Sequence, residues 1–90
     1  MSSPIVFDKL RSQRVSDEIA ARIRDEIAAG RLSVGSRLPS ERALADQLGV
    51  SRPALREAMR TLENAGILRF EKGVNGGAFV QNRSSDAIVT

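Results

Sequence analysis

The sequence predicts a mainly α-helical domain that closes with a small β-hairpin, and three observations lead to this fold class. Branched apolar residues recur every fourth position over 15–27, as they do on the buried face of a helix. A glycine and a serine stand close together at positions 49 and 51, where one helix would end and the next begin. Two short runs of branched and aromatic residues flank a glycine-rich loop within 67–81, which is typical of a hairpin. Together these features predict a winged helix-turn-helix with three helices and one wing.

The composition narrows the functions that the chain can have. Its 90 residues suffice for one domain with a modest core. Cysteine and histidine are both absent, so the chain lacks thiolate nucleophiles, imidazole bases and the usual zinc ligands. Its carboxylates stand among basic neighbours rather than as a catalytic pair, and no Walker-type phosphate loop occurs. We therefore expect no enzymatic activity, no cofactor or metal in this chain, no membrane partner and a cytoplasmic location.

The charge favours a nucleic-acid partner mainly through its make-up. The net charge is +3, and twelve of the fourteen basic residues are arginine. Arginine presents a planar fork of donors that suits phosphate groups and guanine edges. The base composition of the source genome is an alternative explanation of this surplus, so the position of each arginine matters more than their number.

The first part of the chain predicts an arm followed by a scaffold helix. Residues 1–14 show no clear apolar period, and we expect an irregular, flexible arm whose basic residues either contact phosphates or remain solvated. The apolar stripe predicts a helix over about 15–29, which Gly30 ends. A connector follows over 31–39, in which Arg37-Leu38 can make a short strand.

Two shorter helices and the turn between them come next. Ser40 is the predicted N-cap of a helix over about 40–48, which Gly49 ends. Ser51 is the predicted N-cap of a third helix over about 52–64. This order predicts a helix-turn-helix, whose second helix would enter the major groove of DNA.

The predicted wing follows the third helix directly. Gly66 ends that helix, and strands over 67–71 and 78–81 are joined by a loop over 72–77. Residues 82–90 are small and polar, as in a linker or frayed tail.

A row of arginines on the third helix carries the strongest functional signal. Arg52, Arg56 and Arg60 recur every fourth residue and lie within a sector of about 80° beside the apolar stripe. Arg52 and Arg56 are nearest the start of the helix, where recognition helices meet base edges, so both are predicted to read bases. Arg60 is predicted to meet a phosphate or a carboxylate of the protein. The alternative is a solvated surface on which these arginines pair with nearby carboxylates, namely Glu41, Glu57 or Glu63.

Two further positions are predicted to contact the phosphate backbone. Arg42 lies at the amino end of the second helix, whose free N–H groups favour an anion. Ser51 caps the third helix, and its hydroxyl or the nearby N–H groups can also hold a phosphate.

The wing loop is a candidate for contact with the minor groove. Gly76 and Gly77 are expected to take positive φ and to approach a partner closely. Lys72 and Asn75 are expected to reach the minor groove or its phosphates. An ordinary flexible hairpin turn is the alternative, because glycines serve that purpose equally well.

Several short motifs carry a resemblance to a known family, and in chain order these are Gly30-Arg31-Leu32, Gly35-Ser36-Arg37-Leu38-Pro39-Ser40-Glu41-Arg42, Leu48-Gly49-Val50-Ser51-Arg52, Leu55-Arg56-Glu57-Ala58, Leu62-Glu63, Gly66-Ile67-Leu68 and Gly76-Gly77-Ala78-Phe79-Val80. In this combination the sequence resembles the N-terminal domain of GntR-family bacterial transcription regulators. The triplet 56–58 and the wing over 75–80 are most similar to the FadR-type subfamily. The expected DNA-binding domain covers 15–81.

The resemblance implies a winged helix-turn-helix that binds a palindromic operator in double-stranded DNA as a homodimer, most often as a repressor. It also implies a helical C-terminal domain that binds a small-molecule effector, in some members with a metal, and that provides dimerisation. The chain ends where that domain would begin. This indicates a DNA-binding fragment, which can be monomeric by itself.

The resemblance also assigns roles to individual residues. By position, Arg42, Arg52 and Arg56 match the family's DNA-contacting arginines. Ser51 matches a polar contact to phosphate or base, and Gly76 matches the wing tip that enters the minor groove. Two positions depart from relatives with hydroxyl side chains and can offer only apolar contact to a thymine methyl, namely Pro53 and Ala54.

These features predict sequence-specific DNA binding for transcriptional regulation, with a recognition helix at 52–64 in the major groove and a wing at 72–77 in the minor groove. The rival function is a winged helix that serves purely as a protein-interaction module. Such a module is expected to carry apolar or acidic residues at the positions of Arg52 and Arg56.

Overall fold

Three helices and a two-stranded antiparallel hairpin make up the fold. The computed structural model describes residues 4–81, with side chains from residue 10 onward. The elements are α1 (Pro4–Ala28), α2 (Glu41–Leu48), α3 (Arg52–Asn64), β1 (Leu68–Glu71) and β2 (Gly77–Val80). This confirms the predicted fold class, a winged helix-turn-helix in which the hairpin forms the wing.

The first helix is longer than predicted. The prediction of an irregular segment over 1–14 is wrong from Pro4 onward, because α1 begins there and continues without interruption to Ala28; residues 1–3 lie outside the described residues. Proline is compatible with the first helical position, where its missing N–H has no intrahelical partner to lose. Residues 10–14 are all exposed, so no buried face imposes an apolar period on them. The apolar period therefore marks only the part of α1 that packs against the core, and it does not mark where the helix begins.

The turn between α2 and α3 is held by the predicted caps. The Ser40 hydroxyl accepts a hydrogen bond from the backbone N–H of Ala43 at 3.1 Å, and the Ser51 hydroxyl accepts one from Ala54 at 3.3 Å. Gly49 takes a left-handed conformation with φ of 68°, which a residue without Cβ adopts at little cost. The two helices thus begin and end where the cap residues predict.

The hairpin is joined to the connector between α1 and α2. Strand β1 pairs with β2 in an antiparallel register that places Leu68 opposite Val80. Arg37 forms a single bridge with Phe79, and the N–H of Leu38 donates to the Ala78 carbonyl at 2.8 Å. The predicted short strand at 37–38 is therefore one bridge on the open edge of β2. These bonds attach the wing to the start of α2.

The core fixes the direction in which α3 faces. Leu55 and Leu62 on α3 are fully buried, and they pack with Ile19 and Ile23 of α1 in one apolar cluster. The apolar residues of α3 are buried as their spacing predicts, whereas Leu48 of α2 is only partly buried against this cluster. Because one face of α3 is occupied by the core, its arginine row is turned towards solvent.

Candidate nucleic-acid interface

The start of α3 presents its arginines on the surface, next to the start of α2. Arg52, Arg56 and Arg60 are all exposed. The guanidinium groups of Arg52 and Arg56 both reach Glu41, the first residue of α2. The helix-turn-helix therefore brings together residues that are 11 and 15 positions apart in sequence.

The carboxylate of Glu41 accepts hydrogen bonds from Nε and Nη2 of both arginines. Arg52 donates to Oε1 from Nη2 at 3.1 Å and from Nε at 3.4 Å. Arg56 donates to Oε1 from Nη2 at 2.9 Å and to Oε2 from Nε at 3.2 Å. The two arginine side chains remain 55% and 60% exposed. Two guanidiniums share one carboxylate, so the cluster keeps a net positive charge that is open to solvent.

This pairing corresponds in part to the alternative in which the arginines bind carboxylates of the protein. Glu41 is a partner of Arg52 and Arg56, whereas Glu57 and Glu63 make no salt bridge among the side chains of residues 10–81. The pairing leaves donors of each guanidinium unused. It is therefore compatible with DNA contact by the same side chains.

Electrostatics in this cluster favour the ionised carboxylate. The hydrogen bond from Arg56 lowers the pKa of Glu41, with a further contribution from Arg52 against the opposing effect of burial. The same hydrogen bond raises the pKa of Arg56. Glu41 and Arg56 are therefore both charged at neutral pH.

The acid stability of the domain should depend on Glu41. Because its pKa is lower in the folded state, the ion pair stabilises the fold above the ordinary value of 4.5. That contribution is lost as the pH falls through the lowered folded value. We expect Glu41→Gln to flatten the loss of thermal stability below pH 4.5, measured by thermal unfolding across pH. Glu18→Gln on α1 is the control. An equal loss of thermal stability with falling pH in wild type and Glu41→Gln would contradict the prediction.

The remaining predicted residues around the helix-turn-helix occupy different environments. Arg42 is exposed in the first turn of α2 and makes no salt bridge with the side chains of residues 10–81. Ser51 is exposed, and its oxygen is engaged as the α3 cap. Pro53 is exposed, whereas Ala54 is partly buried against the core. Ala54 therefore has less surface to offer a partner than its sequence position suggested.

The wing loop differs from the prediction in its glycines. Gly73 and Gly77 take positive φ of 105° and 139°, but Gly76 does not. Gly76 is buried, while Lys72 and Asn75 are exposed as predicted. The expectation of positive φ at Gly76, and of an exposed position for it at the tip, is therefore wrong.

The apex of the wing is formed by a residue that sequence reasoning missed. Val74 is 97% exposed, between Gly73 and Asn75. Its apolar side chain carries none of the charge by which we selected candidate residues. The available signal was its place in the middle of the 72–77 loop, since the centre of a hairpin loop projects furthest.

Gly76 is needed because the backbone folds back tightly on itself. A Cβ at this position would collide with the Glu71 carbonyl oxygen and lie 2.8 Å from the carbonyl carbon of Lys72. We expect Gly76→Ala to destabilise the domain by about 1–3 kcal/mol, as overpacking does, measured by urea denaturation. Val74→Ala is the control in the same loop and should leave stability unchanged. Equal stability of Gly76→Ala and wild type would show that the loop relaxes freely.

Within residues 4–81, no group of three acidic side chains is arranged to hold a metal ion. No helix in this range is both long enough and apolar enough to cross a bilayer.

Comparison with known proteins places the same region in one family. Residues 15–80 match the model of the bacterial regulatory proteins of the gntR family. The chain is 48% identical over 71 residues to the "Putative L-lactate dehydrogenase operon regulatory protein" of Escherichia coli K12, a match that covers 79% of this chain and 27% of that protein. The chain thus spans about a quarter of the length of this relative.

Solved structures show the same architecture. The DNA-binding domain of AraR in complex with operator ORR3 is 32% identical, with a TM-score of 0.67 over 73% of this chain and 77% of that one. A GntR family transcriptional regulator from Listeria monocytogenes is 25% identical, with a TM-score of 0.71 over 83% of this chain and 69% of that one. The family match over residues 15–80 covers most of the chain and includes the helix-turn-helix, the arginine cluster and the wing. This chain therefore belongs to the GntR family of bacterial regulatory proteins.

Proposed function

We propose that this chain is the sequence-specific DNA-binding domain of a transcription regulator, in which the start of α3 meets the major groove and the wing approaches the minor groove. The observation that carries the proposal is the pair of half-exposed guanidiniums of Arg52 and Arg56 at the start of a helix whose other face is buried. Arginine is the side chain best suited to guanine, which offers two acceptors in the major groove. The AraR domain with the same fold is described in complex with operator DNA, which supports this function.

The rival function, a protein-interaction module, is not favoured. A protein-binding face is depleted in charge at its centre and rich in apolar side chains. The exposed face of α3 instead carries three arginines at four-residue spacing. Its surface therefore suits a polyanion better than an apolar partner.

A longer regulator would use this domain in pairs. We propose that two copies bind a palindromic operator as a homodimer, with half-sites about one helical turn apart, near 34–36 Å. We further propose that such a regulator resembles the FadR type, acts in the cytoplasm as a repressor, and senses a small molecule in a separate C-terminal domain.

Selection of bound sequences from a random pool of DNA duplexes tests the function directly. We expect enrichment of a short motif with guanines at the positions that Arg52 and Arg56 read. A dimer would yield two inverted copies of the motif, whereas the isolated domain would enrich one half-site. Recovery of sequences without a common motif would rule out sequence-specific binding by this chain.

Arg42 should contribute to affinity without reading sequence. It lies in the first turn of α2, where phosphate contacts position the protein on the duplex. We expect Arg42→Ala to weaken binding to the selected and to a scrambled duplex alike, and to reduce the salt dependence of log K by about one. Fluorescence anisotropy at several salt concentrations measures both effects.

Arg24→Ala is the matched control for Arg42→Ala, since Arg24 is an exposed arginine of α1 that makes no salt bridge with the side chains described at 10–81. It removes the same charge from the scaffold helix. An unchanged salt slope for Arg42→Ala would remove Arg42 from the phosphate contacts.

A further inference from the structure

We propose that Glu41 is the positioning residue of the DNA-reading surface, which orients Arg52 and Arg56 as a pair and thereby sets sequence discrimination rather than overall affinity. This inference rests on the proposed function and deepens it. From the sequence, Glu41 had only a competing role, as a carboxylate that pairs with the arginines in place of DNA.

The position of Glu41 is determined by the local structure of α2. Glu41 is the first residue of this helix, directly after the Ser40 cap. The cap fixes the backbone there, and a carboxylate in the first turn is favoured by the helix dipole. The side chain is 27% exposed, about half the value of either arginine that it binds. Glu41 is therefore the more constrained partner, and the arginines are held relative to it.

The donors that Glu41 uses are informative. Both arginines bind it through Nε and Nη2, which form the side edge of the guanidinium. A guanidinium has five N–H donors in a planar arrangement, so this leaves its end edge, Nη1 with the second hydrogen of Nη2, unoccupied. That end edge presents two parallel donors, as bidentate binding of guanine O6 and N7 requires. The arrangement lets one carboxylate hold two arginines while each keeps a base-reading fork free.

The charge of Glu41 has a second consequence. Binding to phosphates depends on the number of positive charges that face the backbone, and it carries no sequence information. The two guanidiniums alone would carry a charge of +2, and the carboxylate of Glu41 lowers the net charge of the cluster to +1. Glu41 therefore weakens the sequence-independent attraction to any DNA. Hydrogen bonds to bases then contribute a larger share of the binding free energy, so the affinity depends more strongly on the DNA sequence.

Two variants separate orientation from charge. Glu41→Gln keeps the length of the side chain but removes its charge and replaces one acceptor with a donor that repels the guanidiniums. Glu41→Asp keeps the charge at the start of α2 but is one methylene shorter, so it cannot hold both arginines in the same place. Glu18→Gln is the matched control, because Glu18 is exposed on α1 and makes no salt bridge to any side chain within 10–81.

The measurement is binding of each protein to the duplex selected by wild type and to a scrambled duplex, over a range of salt. For Glu41→Gln we expect tighter binding to the scrambled duplex, a salt dependence steeper by about one, and a loss of about tenfold in the ratio of the two affinities. For Glu41→Asp we expect a similar loss of discrimination with the salt dependence of wild type. Glu18→Gln should match wild type in discrimination.

The outcomes distinguish this role from a purely structural one. If Glu41 only stabilised α2, Glu41→Gln would lower the unfolding temperature and Glu41→Asp would restore it, while the base preference of the folded protein stayed as in wild type. Wild-type discrimination in both folded variants would overturn the inference and leave the proposed function intact. A wild-type protein that does not distinguish the two duplexes would overturn the proposed function itself.

Discussion

Arg52→Ala is expected to weaken binding to the selected duplex by about 1–3 kcal/mol and to relax the base preference at the position that Arg52 reads. Arg52 is the first residue of α3 and its side chain is 55% exposed, with only part of its guanidinium engaged by Glu41. Truncation removes a bidentate contact to a base rather than a general attraction to phosphate. The loss should therefore be larger on the selected duplex than on a scrambled one.

The measurement is a titration of both duplexes, followed by a repeated selection with the variant. Arg60→Ala is the matched control, because Arg60 lies on the same face of α3, is exposed, and makes no salt bridge in the part of the chain with described side chains, 10–81. It should leave the selected motif unchanged, since Arg60 is expected to meet phosphate at most. Unchanged affinity and motif for Arg52→Ala would count decisively against base reading by this residue.

Leu62→Ala is expected to lower the free energy of unfolding by about 2–5 kcal/mol, the range for truncating a buried leucine. Leu62 is fully buried within the cluster that joins α1 and α3, and its carbonyl accepts the N–H of Ile67 at the start of the wing. A small domain is stable by only about 5–15 kcal/mol in total. The variant is therefore expected to be partly unfolded at moderate temperature.

Urea denaturation measures this loss as a shift of the midpoint at constant slope. Val34→Ala, which truncates a side chain that is 57% exposed in the connector, should leave the midpoint within the scatter of wild type. DNA binding by Leu62→Ala should fall in proportion to the folded fraction, with the base preference of the remainder unchanged. A loss below about 1 kcal/mol would mean that the surrounding side chains close the cavity.

The features that sequence reading identified correctly are those with a local cause. Ser40 and Ser51 cap helices because a hydroxyl can accept the N–H three residues ahead, whatever lies elsewhere in the fold. Gly49 ends α2 because a residue without Cβ tolerates a left-handed conformation. The inward face of α3 follows from its apolar spacing. Such features are visible within a window of a few residues.

The features that it misjudged depend on the three-dimensional surroundings of a segment. The start of α1 was placed too late because residues 10–14, which precede the apolar stripe, are exposed and show no buried face that would impose a period. Gly76 was assigned an exposed position with positive φ, but it is buried because the loop returns against the backbone of Glu71. In both cases the outcome depends on whether the segment is buried and by what, which its own residues do not reveal.

The sequence by itself determined the order of the elements, their caps, the apolar face of α3 and the placement of Arg52 and Arg56 beside that face. It did so because each follows from spacing along a single helix or turn. Only the tertiary structure decided that both guanidiniums share the carboxylate of Glu41, because that contact requires the turn to bring the starts of α2 and α3 together. Glu41 lies 11 residues from Arg52 and 15 residues from Arg56 in sequence. Several other carboxylates are as near to these arginines, so the sequence alone does not select Glu41 as their partner.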